Sequence, residues 1–86
     1  MWVNPKGYKT VGESLAAARK EKGMTQRELA DRLMKPQSFV SAFEAGQRRI
    51  DILEFLRIAA AIGADPVALF TGIAAACGSD QPAQTP

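Results

Sequence analysis

The stretch from Thr25 to Ile50, TQRELADRLMKPQSFVSAFEAGQRRI, constrains the fold more than any other part of the chain. Thr25 is a good helix N-cap, and Glu28 three residues later completes a capping box. Leu29, Ala30 and Leu33 then fall at helical spacing on one face. Met34, Lys35 and Pro36 interrupt that pattern, because proline disfavours helix at the residue before it. Proline also suits the first turn of a new helix. The second helix, over about 36–44, turns Val40 and Phe43 inward and stops at Gly46, a C-terminal cap. Two short helices joined by a tight turn make a helix-turn-helix, whose second helix fits the major groove of double-stranded DNA.

The rest of the chain reads as helix. Residues 1–10 form an N-terminal arm, with Pro5 and Gly7 as breakers and Lys6 and Lys9 as charges. Its aromatics, Trp2 and Tyr8, either fold back on the core or touch DNA or a partner subunit. A helix is expected from about Val11 to Lys22, with Leu15, Ala18 and Arg19 inward and Gly23 ending it. Asp51 caps a fourth helix to about Ala61, with Leu53, Leu56, Ile58 and Ala59 inward and Gly63 closing it. Asp65-Pro66 starts a fifth, running to about Thr71 or further. The domain spans 11–77, and the tail 78–86, GSDQPAQTP, has a disordered composition. The chain is therefore read as an all-α bundle of five helices, with helices 2 and 3 forming the helix-turn-helix.

Composition narrows the function. Eighty-six residues make one small domain and leave little room for a separate sensing or catalytic unit. No run approaches the ~18 apolar residues that span a membrane. The opening MWVNPKGYKT lacks the apolar core of a signal peptide. A lone cysteine, Cys77, forms no internal disulfide, which suits a reducing cytoplasm. Without histidine, a histidine-based triad is excluded and a zinc site is disfavoured. No cofactor and no metal are expected. No nucleophile–base pair or phosphate loop is visible, so an enzyme is the weakest class. Charge is uneven: residues 1–49 carry ten Lys/Arg against five Asp/Glu, whereas 50–86 carry one against four. The first half is thus +5 and the second −3, and a polyanion is drawn to the half that holds the helix-turn-helix.

Thr25-Gln26, Leu29-Ala30, Leu33, Gln37-Ser38, Ser41, Glu44 and Gly46 occur in a telling order. The pattern continues through Ile52-Leu53-Glu54-Phe55-Leu56, Ile58-Ala59, Ile62-Gly63 and Pro66-Val67-Ala68-Leu69-Phe70. Over about residues 11–72 the chain resembles the Xre family, the phage Cro- and repressor-type helix-turn-helix regulators. That resemblance implies a compact five-helix bundle of the lambda-repressor-like type. The chain departs from the family at Met34, where glycine is usual, at Lys35, usually apolar, and at Pro36, usually a hydroxyl cap. Ala42 and Ala45 replace residues that are often basic.

Residue roles follow from the spacing and the resemblance together. Val40 and Phe43 face in, so Gln37, Ser38 and Ala42 face out, and the resemblance makes these the base-contacting positions. Glutamine pairs bidentately with adenine, serine serves either partner, and alanine offers a methyl. Gln26, at a helix N-terminus, is placed to grip a phosphate or is an exposed polar residue. Ser41 binds phosphate or packs on the preceding helix. Phe39 meets thymine methyls or packs against Met34. Arg48 and Arg49 are expected on backbone phosphates, with Lys35 as a weaker candidate. Arg27 and Arg32 either reach phosphates or pair with acids on their own helix. The resemblance makes Arg19 and Glu44 an internal salt bridge. It also points to a homodimer through the last helix, with Val67, Phe70 and Ile73 at the interface. Glu28 and Asp31 touch RNA polymerase in an activator, or are solvated acids. The leading function is a sequence-specific transcriptional regulator in the cytoplasm, of bacterial or phage type. The alternative is a protein-interaction module, antitoxin or anti-regulator, that keeps the fold and binds a regulatory protein partner.

Overall fold

Thr25 accepts a hydrogen bond from the Glu28 backbone N–H at 3.0 Å, and the Glu28 carboxylate accepts from the Thr25 N–H at 2.8 Å. This capping box starts the helix-turn-helix at the residue the sequence indicates. The computed structural model describes residues 5–78. It contains α1 (Pro5–Glu21), α2 (Gln26–Leu33), α3 (Gln37–Glu44), α4 (Ile52–Ile62) and α5 (Pro66–Gly78). No strand occurs among the described residues, so the fold is the expected all-α, five-helix one. Trp2 and the tail beyond Gly78 lie outside the described residues.

The core gathers one stripe from each helix. Leu15, Leu29, Val40, Phe43 and Ile58 are its largest fully buried side chains. At about 25 cal/mol per Å² of apolar surface, burial of these side chains is the main favourable term holding the bundle. α1 and α5 pack together, as do α2 and α3, with α4 against α2 and α5.

Three local expectations are corrected, and one left open is settled. Helix α1 begins at Pro5, not near Val11. Proline is at home in a first helical turn, where its missing N–H has no partner anyway. The extra turns rest on α5 and on the segment after α3: the Cys77 Sγ–H donates to the Gly7 carbonyl at 3.9 Å, and a Cβ on Gly46 would collide with the Lys9 backbone. In α4 the buried stripe is Phe55, Ile58, Ala59 and Ile62, while Leu53 and Leu56 are exposed. This helix is apolar on nearly every side, so periodicity alone does not choose between two adjacent stripes. Helix α5 takes the longer of the two extents the sequence allows, to Gly78, since Gly72 weakens a helix without stopping it. Finally, Phe39 does pack, but not against Met34. Met34 is 90% exposed, and the Phe39 ring meets Phe43 edge-on, centroids 5.5 Å apart.

Candidate nucleic-acid interface

Behind the recognition helix lies a buried ion pair. Arg19 Nε donates to Glu44 Oε2 at 2.7 Å, and Nη2 donates to Oε1 at 3.0 Å. Arg19 Nη1 also donates to the Met24 carbonyl at 2.6 Å. The two residues are only 7% and 9% exposed. A buried charge is tolerable when it is paired and its remaining polar atoms are satisfied. Here they are: no buried side-chain nitrogen or oxygen among the described residues lacks a partner. The sequence expectation of a salt bridge between Arg19 and Glu44 is met in geometry.

The pair extends to the surface. Gln26 Nε2 donates to Glu44 Oε1 at 2.9 Å, and Gln26 Oε1 accepts from Gln37 Nε2 at 3.4 Å, a long and weak bond. The sequence places Gln26 on a phosphate. In the folded chain its amide links the core ion pair to the first residue of α3. Nothing in the spacing of Gln26 and Glu44 announces this contact, because it joins the two helices across a turn.

On α3, Gln37, Ser38 and Ser41 are exposed and share one side, while Ala42 is half-buried beside them. Ser41 Oγ donates weakly to the carbonyls of Gln37 and Ser38, at 3.4 and 3.3 Å. Both partners of its hydroxyl lie on its own helix.

Arg48 and Arg49, adjacent in sequence, are placed differently. Arg48 forks onto Glu54, Nη1 to Oε1 at 3.0 Å and Nη2 to Oε2 at 2.8 Å. Its Nη1 also donates to the Arg49 carbonyl at 2.7 Å, and its guanidinium lies 4.5 Å from the Phe39 ring centroid. The Arg48 fork, with the Asp51 backbone N–H second, holds the Glu54 carboxyl at about 2, well below the usual carboxylate range. The sequence reads Arg48 as a phosphate contact; in the folded chain its partly exposed guanidinium is paired with Glu54, tying the segment after α3 to the start of α4. The sequence does hold a signal, since Glu54 is the third residue after the Asp51 cap, a position whose carboxylate turns back toward the preceding loop. Arg49 is exposed, its guanidinium 5.9 Å from the Tyr8 ring centroid. Lys35 is exposed too, with Nζ 5.5 Å from the Phe39 ring. Arg32 Nη1 donates to the Ala61 carbonyl at the end of α4, 3.0 Å away. Glu28 is occupied by its capping box, and the Thr25 backbone N–H it accepts from lowers its carboxyl pKa.

The helix-turn-helix family pattern matches residues 15–69. The chain belongs to the XRE helix-turn-helix family. Within it, the chain is 36% identical over 63 residues to an uncharacterised helix-turn-helix-type transcriptional regulator, y4dJ, of Sinorhizobium fredii. That match covers 73% of this chain and 82% of the relative. Among solved structures, an XRE-family like protein from Pseudomonas syringae is 44% identical, with a TM-score of 0.73 over 81% of this chain and 85% of that one. The restriction-modification controller protein C.AhdI from Aeromonas hydrophila is 32% identical, with a TM-score of 0.68 over 73% of this chain and 96% of that one. The XRE helix-turn-helix family is one of DNA-binding transcriptional regulators, not of enzymes.

This XRE-family chain also carries an apolar face away from α3. Val67 is 72% exposed and Phe70 55%. Ile52, Leu53 and Leu56 are exposed on α4. A shallow groove of about 290 Å³ runs between the two helices, floored by Phe55. Ile73, expected at the same interface, is instead buried, at 6% exposure, within the core. It falls six residues after Val67, which turns it to the inner side of α5.

Proposed function

We propose that this regulator binds an inverted-repeat operator as a homodimer, with α3 in the major groove of each half-site. The observation that carries the reading is the pairing of two opposite surfaces on α3. Its outer side presents Gln37, Ser38 and Ser41 to solvent, with Ala42 beside them. Its inner side is anchored by Val40, Phe43 and the Arg19–Glu44 pair. A helix held rigidly from behind and polar in front suits base readout, since small misplacements lose bidentate hydrogen bonds. Arg49, Lys35 and the first turn of α2 supply backbone contacts on either flank. The apolar face of Ile52, Leu53, Leu56, Val67 and Phe70 is the surface that a second copy covers. A symmetric dimer then places two recognition helices about one helical turn of DNA apart.

The working compartment is the cytoplasm, where the regulator meets DNA and, at a promoter, RNA polymerase. A single cysteine fits that compartment. Among the described residues no single helix is long and apolar enough to cross a membrane.

Genome-fragment selection with the purified protein, followed by footprinting at two salt concentrations, tests the reading. A short inverted repeat, protected on one face and lost on Gln37→Ala, is the expected result. Uniform weak binding, unaffected by Gln37→Ala, would instead favour a module that binds a protein partner, a reading with which alanine at positions 42 and 45 is compatible.

A further inference from the structure

We propose that the first turns of α1 form a further DNA-backbone site, in which Lys9 joins Arg49 on the phosphates beside the recognition helix. This rests on the proposal that α3 enters the major groove. The sequence presents residues 1–10 as an arm, yet α1 is already helical there. Two glycines explain where it lies. Gly46, at φ +77°, leaves no space for a side chain: a Cβ would sit 2.7 Å from the Lys9 Cα and 2.9 Å from the Lys9 nitrogen. Gly12, one turn along α1, touches the last carbonyls of α3 in the same way. These contacts press α1 directly against the segment that leaves the recognition helix.

The consequence is a basic edge made by two distant parts of the sequence. Lys9 is exposed on α1, Arg49 is exposed on the segment after α3, and Tyr8 lies under the Arg49 guanidinium. Arg48, the other cation of that segment, is neutralised by Glu54. The ion pairs among the described residues are Arg19–Glu44 and Arg48–Glu54, so neither Lys9 nor Arg49 makes a salt bridge, and Glu13, one turn along α1 from Lys9, stays outside salt-bridge distance. Two unpaired cations on one edge repel each other unless an anion lies between or beside them. A helix lying in the major groove has a phosphate chain along each side, and the segment leaving α3 faces one of them. Lysine supplies a compact charge on a flexible stem, which suits a phosphate with no demand for fixed geometry.

The competing role for Lys9 is to steady the negative C-terminal end of α3 through the helix dipole. Binding to a random-sequence duplex, measured by fluorescence anisotropy over a range of salt, separates the two without knowledge of the operator. Each protomer contributes one contact per residue, so for the homodimer Lys9→Gln is expected to lower the slope of log affinity against log salt by about 1.8, and Lys9→Gln with Arg49→Gln by about 3.6, or half as much if one protomer binds. Lys9→Arg should restore the wild-type slope, and none of the three should shift the thermal midpoint. A lower midpoint with an unchanged slope would assign Lys9 to the helix dipole and overturn the proposal. An unchanged slope with an unchanged midpoint would overturn it too, while leaving DNA binding intact. Failure of the wild-type protein to bind duplex DNA would remove the groove reading and this site together.

Discussion

The two ends of this domain solve opposite problems. Around α2 and α3 a charge is buried and each buried side-chain polar atom described has a partner: Arg19 holds Glu44, Glu44 holds Gln26, and Gln26 meets Gln37. Around α4 and α5 apolar side chains are left in solvent, with Val67, Phe70 and Ile52 the most exposed. A satisfied polar network specifies one arrangement, because any shift leaves a buried charge unmatched. An exposed apolar face specifies contact with something but not its angle. Precision therefore belongs to the half that carries α3, and association to the other.

The sharpest way to break the first half is Glu44→Ala. It strands Arg19 in the core, and loss of one partner of a buried pair costs roughly 3–5 kcal/mol. At about 4–8 °C per kcal/mol for a domain of this size, the thermal midpoint should fall by at least ~12 °C. A fall of only a degree or two would show that the pair is effectively solvated. Phe70→Glu probes the other half. Phe70 is more than half exposed, so the isolated chain should remain folded. Self-association should weaken at least tenfold, about 1.4 kcal/mol, in sedimentation equilibrium. Unchanged association after Phe70→Glu would move the dimer contact away from α5.

The polar half is legible in the sequence because its constraints are local and chemically specific. A threonine cap, a glutamate three residues on, a proline break and a glycine stop place α2 and α3 almost to the residue. The position of Arg19 on the apolar side of α1 reads as a buried charge in need of a partner. The apolar half is not legible in the same way. Isoleucine, leucine, phenylalanine and alanine surround α4, so several stripes satisfy helical periodicity and only packing chooses Phe55 over Leu53 and Leu56. The longer α1 is hidden for a related reason. Pro5 and Gly7 read as breakers, and what overrides them is tertiary, the close approach of α1 to the end of α3. The pairing of Arg48 is only half legible: the Asp51 cap turns the Glu54 carboxylate back toward the preceding loop, but does not say which of the adjacent arginines it takes.

Arg48 and Glu54 join the two halves, and Glu54→Gln asks how much that joint matters. The fork is partly exposed, and removing its charge should cost about 1 kcal/mol. The pH dependence carries more information than the size. Glu54 titrates at about 2 in the folded chain, against ~4.3 when unfolded. Its folded pKa is depressed, so its stabilisation is complete above the unfolded value and is lost as pH falls toward 2. The midpoints of wild type and Glu54→Gln should therefore differ steadily from neutrality down to about pH 5 and converge by about pH 2. A gap that persists at the acid end would assign the loss to packing on Phe39 instead of to the ion pair. Because the Arg48 charge is already paired with Glu54, Arg48→Gln should also change the salt slope of DNA binding less than Arg49→Gln does.

The smallest expected effect tests the turn that separates α2 from α3. Met34 ends α2 in the left-handed region, φ 57° and ψ 42°, with its N–H bonded back to the carbonyls of Ala30 and Asp31. A side chain there places Cβ against the backbone at a cost of roughly 1–2 kcal/mol, which glycine avoids. Glycine gives part of that back through the greater freedom of the unfolded chain, so Met34→Gly should gain about 0.5–1 kcal/mol. Met34→Ala is the control, since it removes the same exposed side chain but keeps the Cβ and should gain nothing. If both variants are stabilised equally, the strain lies in the methionine side chain and not in the backbone. The DNA-binding measurement then decides why the strain is kept. Met34 stands exposed in the turn just before the recognition helix, so an affinity unchanged by Met34→Gly makes it a tolerated cost of this sequence. An affinity lowered in both variants makes Met34 an apolar contact to the DNA backbone, and extends the specified half of the molecule into the turn itself.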